Sequence, residues 1–278
     1  MDVVCQGPFL PGLPLPFKAW ASWARFQSAR FKVKAVILAG GKGRRLAPLT
    51  VAFPKPLVPV GDRAVLEILI RRLVHCGVDE IVFAVDHLAE LLMAYVEGHP
   101  DLRGLARYRF VHDRKPGGTA GPLARIEGLD ETFLVANGDL LTSLDFSALI
   151  AHHRALGAAL TIAVHEKRMR LGLGVLDVSP TGNVVRYTEK PEVSYEVSMG
   201  VYVYESRVLS KITPGEYLDF PDLVNRLLAA GEYVAAFRTD AYWLDIGNPE
   251  DYARAQEDAA HGIGPAACGQ RAGAPRAP

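Results

Sequence analysis

The sequence predicts an α/β fold, a three-layer, Rossmann-like arrangement around a mixed but mostly parallel sheet. Three observations lead there. Strand-length apolar runs alternate with helically spaced apolar pairs through the first half, the second half turns hairpin-like, and 49% apolar content over 278 residues suffices for one large core.

Val36-Ile37-Leu38 is a short apolar run that reads as a buried parallel strand, and it empties into glycines at 40, 41 and 43. Val65-Leu66, Leu69-Ile70 and Leu73-Val74 recur at helical spacing and stop at Gly77. Ile81 to Val85 is a strand, Leu88 to Glu97 a helix, and Arg107 to His112 is extended. Thr132 to Ala136 forms a buried strand ending on Asn137-Gly138-Asp139. A helix from Phe146 to Leu156 then precedes a strand from Ala158 to Val164.

Beyond it, Leu173 to Val178 and Val184 to Thr188 flank the turn Pro180-Thr181-Gly182-Asn183 and read as an antiparallel pair. Val197 to Tyr204 is a further strand, and Asp219 caps a helix running through Ala230. Asn248, Pro249 and Glu250-Asp251 supply the N-cap, first-turn proline and acidic residues that open a last helix.

Composition narrows the function. Lys plus Arg equals Asp plus Glu at 31 each, which argues against a nucleic-acid binder needing a broad basic field. Cys5, Cys76 and Cys268 have neither metal spacing nor a disulfide framework, so a reducing cytoplasm is expected. No apolar run approaches the roughly 20 residues that span a bilayer, so no membrane is expected. Residues 1–33, with Trp20, Trp23 and Phe26 at helical spacing, read as an extension outside the core fold. Residues 34–261 read as the functional domain, and 262–278, rich in Gly, Ala and Pro, as a disordered tail.

Function concentrates after the first strand. Glycine lets backbone approach an anion, free N–H groups donate to it, and Arg44, Arg45 and Lys55 offset its charge, so this loop suits a polyphosphate. A dinucleotide fingerprint would need glycine where Leu46 stands, and a Walker loop would need a Lys-Ser or Lys-Thr that is missing. Asp139 ends a strand where α/β ligands collect, although Asn-Gly-Asp is equally common as a plain turn. Asp245 sits in apolar Trp243-Leu244-Asp245-Ile246-Gly247, where an idle charge is costly. Two carboxylates facing a triphosphate suit Mg²⁺.

The stretch from Gly40 to Val60 resembles the signature G-G-x-G-x-R-L-x-P-L-T-x-x-x-P-K-P-L-x-P-V of the sugar-1-phosphate nucleotidylyltransferases. Further motifs follow in that family's order over about residues 34 to 259. The resemblance implies the nucleotide-diphospho-sugar transferase fold, with a nucleoside triphosphate and a sugar 1-phosphate as substrates. It places Leu38, Gly40, Gly41, Gly43, Gly118 and Thr119 on the nucleotide, and Asp139 and Asp245 on Mg²⁺. It puts Arg45 and Lys55 on the triphosphate, and Lys190 of Glu189-Lys190-Pro191 on the sugar phosphate. Gly174, Glu189 and Ser198 fall in the sugar-binding region, Ser198 replacing a common asparagine. Gly117 stands where leucine is usual, and Arg44 where threonine is usual.

Pro54-Lys55-Pro56-Leu57 and the W-L-D-I-G run look most like the mannose-1-phosphate guanylyltransferase branch, hence GTP and mannose 1-phosphate. Asp113 would accept from the N1–H and N2–H₂ donors of guanine. Family members are often oligomers, which implies a homo-oligomer. None of the eight histidines enters this chemistry. Other readings are a thymidylyl- or uridylyltransferase, a non-catalytic nucleotide-sugar-binding subunit, and a glycosyltransferase. Retention of all five charged residues argues against the binding subunit, and the missing first aspartate of an Asp-x-Asp motif against the glycosyltransferase.

Overall fold

A computed structural model describes residues 33–112 and 117–265. Asp113, Cys5, Cys268, the aromatic residues of the N-terminal extension and the tail from 266 lie outside the described residues.

The chain runs through β1 (Lys34–Ala39), a short α1 (Leu49–Ala52), β2 (Pro59–Val60), β3 (Arg63–Ala64), α2 (Val65–His75), β4 (Glu80–Val85), α3 (Ala89–Gly98) and β5 (Arg107–His112). It continues through β6 (Phe133–Asn137), β7 (Leu140–Thr142), α4 (Phe146–Leu156) and β8 (Leu160–Arg170). The last part is β9 (Val175–Val178), β10 (Val184–Thr188), β11 (Glu192–Tyr204), α5 (Phe220–Ala229), β12 (Val234–Arg238), β13 (Trp243–Asp245) and α6 (Pro249–Ala260). Among the described residues, no helix is long and apolar enough to cross a membrane.

Seven strands form the main sheet in the order β12-β8-β11-β6-β1-β4-β5. The expected mixed sheet is present: β11 is antiparallel to β6 and β8, and the remaining pairings are parallel. Every residue of β4 is buried, as a central strand covered on both faces requires. On one face the core gathers Val82, Phe133, Val135, Tyr202, Tyr204 and the apolar side of α5.

Four elements differ from the sequence reading. Helix α3 begins at Ala89 because Leu88 takes a left-handed conformation (φ 54°) just before it. Strand β8 runs on to Arg170 and β11 starts at Glu192, since Glu192 pairs with Arg170 and the ladder continues inward. The exposed ends of these strands, with the β9–β10 hairpin, form an arm beyond the sheet. Asp219 occupies the N-cap position of α5, but its side chain makes no capping hydrogen bond there. By contrast, Asn248 caps α6 as expected, accepting from the Asp251 N–H.

Behind the sheet lies a buried polar cluster. His153 of α4 has no exposed surface; its Nδ1 is 2.8 Å from Thr161 Oγ1 and its Nε2 3.1 Å from Glu205 Oε1. The Thr132 hydroxyl donates to the same carboxylate oxygen at 2.8 Å. Burial pushes the His153 pKa down, although Glu205 partly opposes this.

Candidate active site

The carboxyl ends of β1, β4 and β6 open into a cleft of two adjoining cavities of about 340 Å³ and 510 Å³. Leu38, Thr119 and Asn137 line both. Gly40, Gly41, Lys55, Asp86, Gly118 and Asp139 are on the smaller side. Ser198, Tyr202, Phe220, Asn225, Trp243 and Asp245 are on the larger side.

Strand pairing brings the two aspartates together. β6 ends at Asn137, and the Gly138 N–H donates to Leu38 O at 2.9 Å, pressing this strand end against β1. β7 then pairs with β13 in a register that sets Asp245 opposite Leu140, and the Ile246 N–H reaches Asp139 O at 3.2 Å. Residues 106 positions apart in sequence thereby face one another.

Lys55, delivered by a single 3-10 turn after Pro54, completes the centre. Its ammonium hydrogen-bonds Asp139 Oδ2 and lies 3.7 Å from Asp245 Oδ1. The Lys55 side chain is 11% exposed, Asp139 21% and Asp245 44%. Even so, Asp139 Oδ1 and Asp245 Oδ1 are each buried without a hydrogen-bond partner. Burial, and then the neighbouring Asp139 carboxylate, push the Asp245 pKa up, while Lys55 and Arg45 pull it back. Gly247 lies beside Arg45: a Cβ there would make ordinary contact, 3.5 Å from the Arg45 Nη2 and 3.6 Å from Asp245 Oδ2.

Unpartnered buried oxygens are rare because each forfeits its hydration. Two of them, on carboxylates that line the two adjoining cavities, fit a hard divalent cation bound by two carboxylates and completed by phosphate and water oxygens. Among the described residues no cluster of three or more His, Cys, Asp or Glu offers an all-protein cage.

The glycine loop is split between the cavity and the packing beside it. Gly40 and Gly41 line the smaller cavity, whereas Gly43 packs behind it, its carbonyl accepting from Thr50 Oγ1 at 2.8 Å. On the larger side, a bulge in β11 sets the three residues between Ser198 and Tyr202 against the single residue between Val164 and Ile162 of β8, and Ser198 and Gly200 line the cleft there. Gly200 is required there, with φ 73° and an added Cβ only 2.6 Å from Asn137 Nδ2.

The arm residues are not brought to either cavity wall. Gly174 packs against the Tyr187 ring, where a Cβ would meet the hydroxyl at 2.2 Å. Glu189 accepts from Tyr187 OH at 2.8 Å, and Lys190, 52% exposed, lies 3.7 Å from Glu189 Oε1. Lys190 holds a left-handed φ of 46°, a conformation that a non-glycine residue keeps only where its surroundings impose it.

Several wall residues escape a reading of the sequence. Tyr202 and Phe220, stacked 3.8 Å apart, carry no motif and read as ordinary strand and helix core. Asn137 and Trp243, which also line the larger cavity, stand within the Asn-Gly-Asp and W-L-D-I-G runs beside the two aspartates.

The sequence model of the family described as nucleotidyl transferase matches residues 34–262. The mannose-1-phosphate guanylyltransferase catalytic subunit beta of Dictyostelium discoideum is 32% identical over 227 residues, covering 79% of this chain and 62% of its own length. The UTP–glucose-1-phosphate uridylyltransferase of Synechocystis is 34% identical over 238 residues, covering 79% of this chain and 61% of its own. The chain thus spans about three-fifths of the length of these curated relatives. Among solved structures, HddC from Yersinia pseudotuberculosis complexed with GMP-PN superposes with a TM-score of 0.63 at 27% identity, covering 81% of this chain and 99% of that one.

Proposed function

The chain belongs to the nucleotidyl transferase family, and from that premise we propose that it transfers a nucleoside monophosphate from a nucleoside triphosphate to a sugar 1-phosphate, releasing pyrophosphate. One observation carries this reading: Lys55, Asp139 and Asp245 come together where two substrate-sized cavities adjoin, with Arg45 near enough to Asp245 to lower its pKa. The smaller cavity, floored by glycine backbone, takes the nucleotide. The larger, with aromatic walls and scattered polar groups, takes the sugar.

The acceptor needs no general base, since a phosphate monoester with its second pKa near about 6 is already anionic at neutral pH. One of its oxygens attacks the α-phosphorus, a new P–O bond forms, and the bond to the β-phosphate breaks with its electron pair leaving on pyrophosphate. Anion repulsion is the main obstacle, so positioning and fixed positive charge are what the protein supplies. Arg45 and Lys55 hold the triphosphate and the charge that develops on it. Asp139 and Asp245 would hold Mg²⁺ through their unpartnered oxygens. When bound, the ion supplies further neutralisation at the phosphates. Lys190 docks the attacking phosphate. An extended strand of the length separating it from Ser198 spans roughly 26 Å, so this role requires the arm to curl over the larger cavity. The left-handed backbone at Lys190 supports a functional constraint on that turn.

GTP and mannose 1-phosphate are the substrates favoured by the Pro-Lys-Pro and W-L-D-I-G runs, and several similar proteins bear the name mannose-1-phosphate guanylyltransferase. The similar uridylyltransferase of Synechocystis favours UTP with glucose 1-phosphate as the second reading. A panel of triphosphates against hexose 1-phosphates with Mg²⁺, read by pyrophosphate release, separates them. Release with GTP and mannose 1-phosphate alone bears out the first reading. Release with no pair at all rejects the transfer.

A further inference from the structure

The two cavities share a wall tied together in an unusual way. Leu218 N–H donates to Gly117 O at 3.0 Å, and the Ala120 and Gly121 N–H groups reach back to Leu218 O at 2.9 and 3.1 Å. Gly118 sits at φ 74°, and a Cβ on it would lie 2.4 Å from the Leu218 carbonyl oxygen, so this loop is pressed against the segment leading into α5.

Thr119 and Asp219 then exchange partners. Asp219 leaves its own helix uncapped and instead accepts from the Thr119 N–H at 3.0 Å and hydroxyl at 3.3 Å. The Thr119 hydroxyl in turn accepts the Phe220 N–H at 2.7 Å, serving as the cap of α5 from 101 residues away. Tyr217 OH donates to the second Asp219 oxygen at 2.9 Å. From Phe220 the contacts continue across the sugar-side cavity. Its ring stacks on Tyr202 at 3.8 Å, Tyr202 OH accepts from Ser198 Oγ at 3.2 Å, and Ser198 Oγ accepts the Gly200 N–H at 3.3 Å.

We infer that Asp219 is a positioning residue that couples the two half-sites: through Thr119 it fixes the Phe220–Tyr202–Ser198 wall, so that ordering the Gly118–Thr119 loop on a nucleotide prepares the cavity for the sugar phosphate. Asp219 lines neither cavity. Its effect therefore passes through Thr119, which lines both. The inference rests on reading the cleft as a nucleotidyl-transfer site, and linkage makes the coupling reciprocal.

The test titrates mannose 1-phosphate into the full chain with Mg²⁺, with and without the α,β-methylene analogue of GTP. In the wild type the analogue should tighten sugar-phosphate binding about fivefold, and in Asp219→Ala the ratio should fall to about one. Asp219→Asn keeps an acceptor oxygen for the Thr119 N–H and should restore most of the ratio, as should Thr119→Ser beside Thr119→Val. An undiminished ratio in Asp219→Ala, or a ratio of one in the wild type, overturns the coupling while leaving the transfer reaction intact. If the wild type binds neither ligand and releases no pyrophosphate with any substrate pair, the reading of the cleft fails and the coupling with it. Should Asp219→Ala not fold, the Thr119 pair decides: equal ratios in Thr119→Val and Thr119→Ser overturn the inference.

Discussion

Two polar clusters among the described residues treat their charges oppositely. Behind the sheet, His153 has a partner on each ring nitrogen, and Glu205 accepts from Thr132 as well. In the cleft, Asp139 and Asp245 share one lysine and leave two buried oxygens without a hydrogen-bond partner. A folding chain gains by satisfying such groups, so the rear cluster is what stability alone would build. The cleft has the opposite character: like charges face each other and the Asp245 pKa is raised, an arrangement that a ligand completes. The rear cluster fits a structural role, and the cleft fits the proposed transfer.

Removing one cleft carboxylate is the hardest test of this contrast. Asp139→Asn should lower pyrophosphate release by on the order of 10³-fold while leaving the ligand-free melting curve nearly unchanged. Collapse of the apo protein in calorimetry would place Asp139 with the structural groups instead.

Lys55→Met comes next, because it strands two carboxylates in one cleft. We expect a loss of about 1–3 kcal/mol in denaturant unfolding, partly recovered when Asp245→Asn is added to the same chain. The sign follows from the raised pKa of Asp245. Its protonated form is the one folding favours, so its contribution holds at low pH and is lost as pH rises through the folded value. Asp245→Asn alone should therefore stabilise the apo protein at neutral pH, and that gain should vanish in acid. Destabilisation at neutral pH would contradict the assignment.

Lys190 sharpens the contrast at the margin, since its ammonium is only loosely held by Glu189. Lys190→Ala should raise the KM for the sugar phosphate about tenfold and that for the triphosphate far less. Equal changes in both would remove it from the acceptor side.

The smallest effect belongs to the rear cluster. Burial lowers the His153 pKa below its unfolded value, so His153 contributes fully above about pH 6.5, and stability falls as pH drops toward the folded value. His153→Gln should flatten that acid loss, on the order of 1 kcal/mol, while leaving both KM values alone. A shifted KM would mean that the two clusters are not separate.

Legibility in the sequence followed locality. The smaller cavity was readable because a strand, its glycine loop and the Pro-Lys-Pro turn are contiguous, and Gly40, Gly41 and Lys55 do line it. The larger was not, because Tyr202, Phe220 and Asn225 come from a bulged strand and a helix whose patterns are those of ordinary core. Asp219 shows the limit most clearly. Its place before α5 announced a cap, yet its carboxylate turned to Thr119, a residue that no local pattern could connect to it.

By itself, then, the sequence determined the alternation of elements, the family, and the charged residues of the cleft, because periodicity, turn chemistry and contiguous motifs are written along the chain. Only the tertiary structure decided that Asp245 faces Asp139, that Thr119 caps a helix it does not belong to, and that Lys190 stands on an arm away from the cavities. Those outcomes depend on strand register and on which distant groups compete for the same hydrogen bonds, and neither is recorded in any local run of residues.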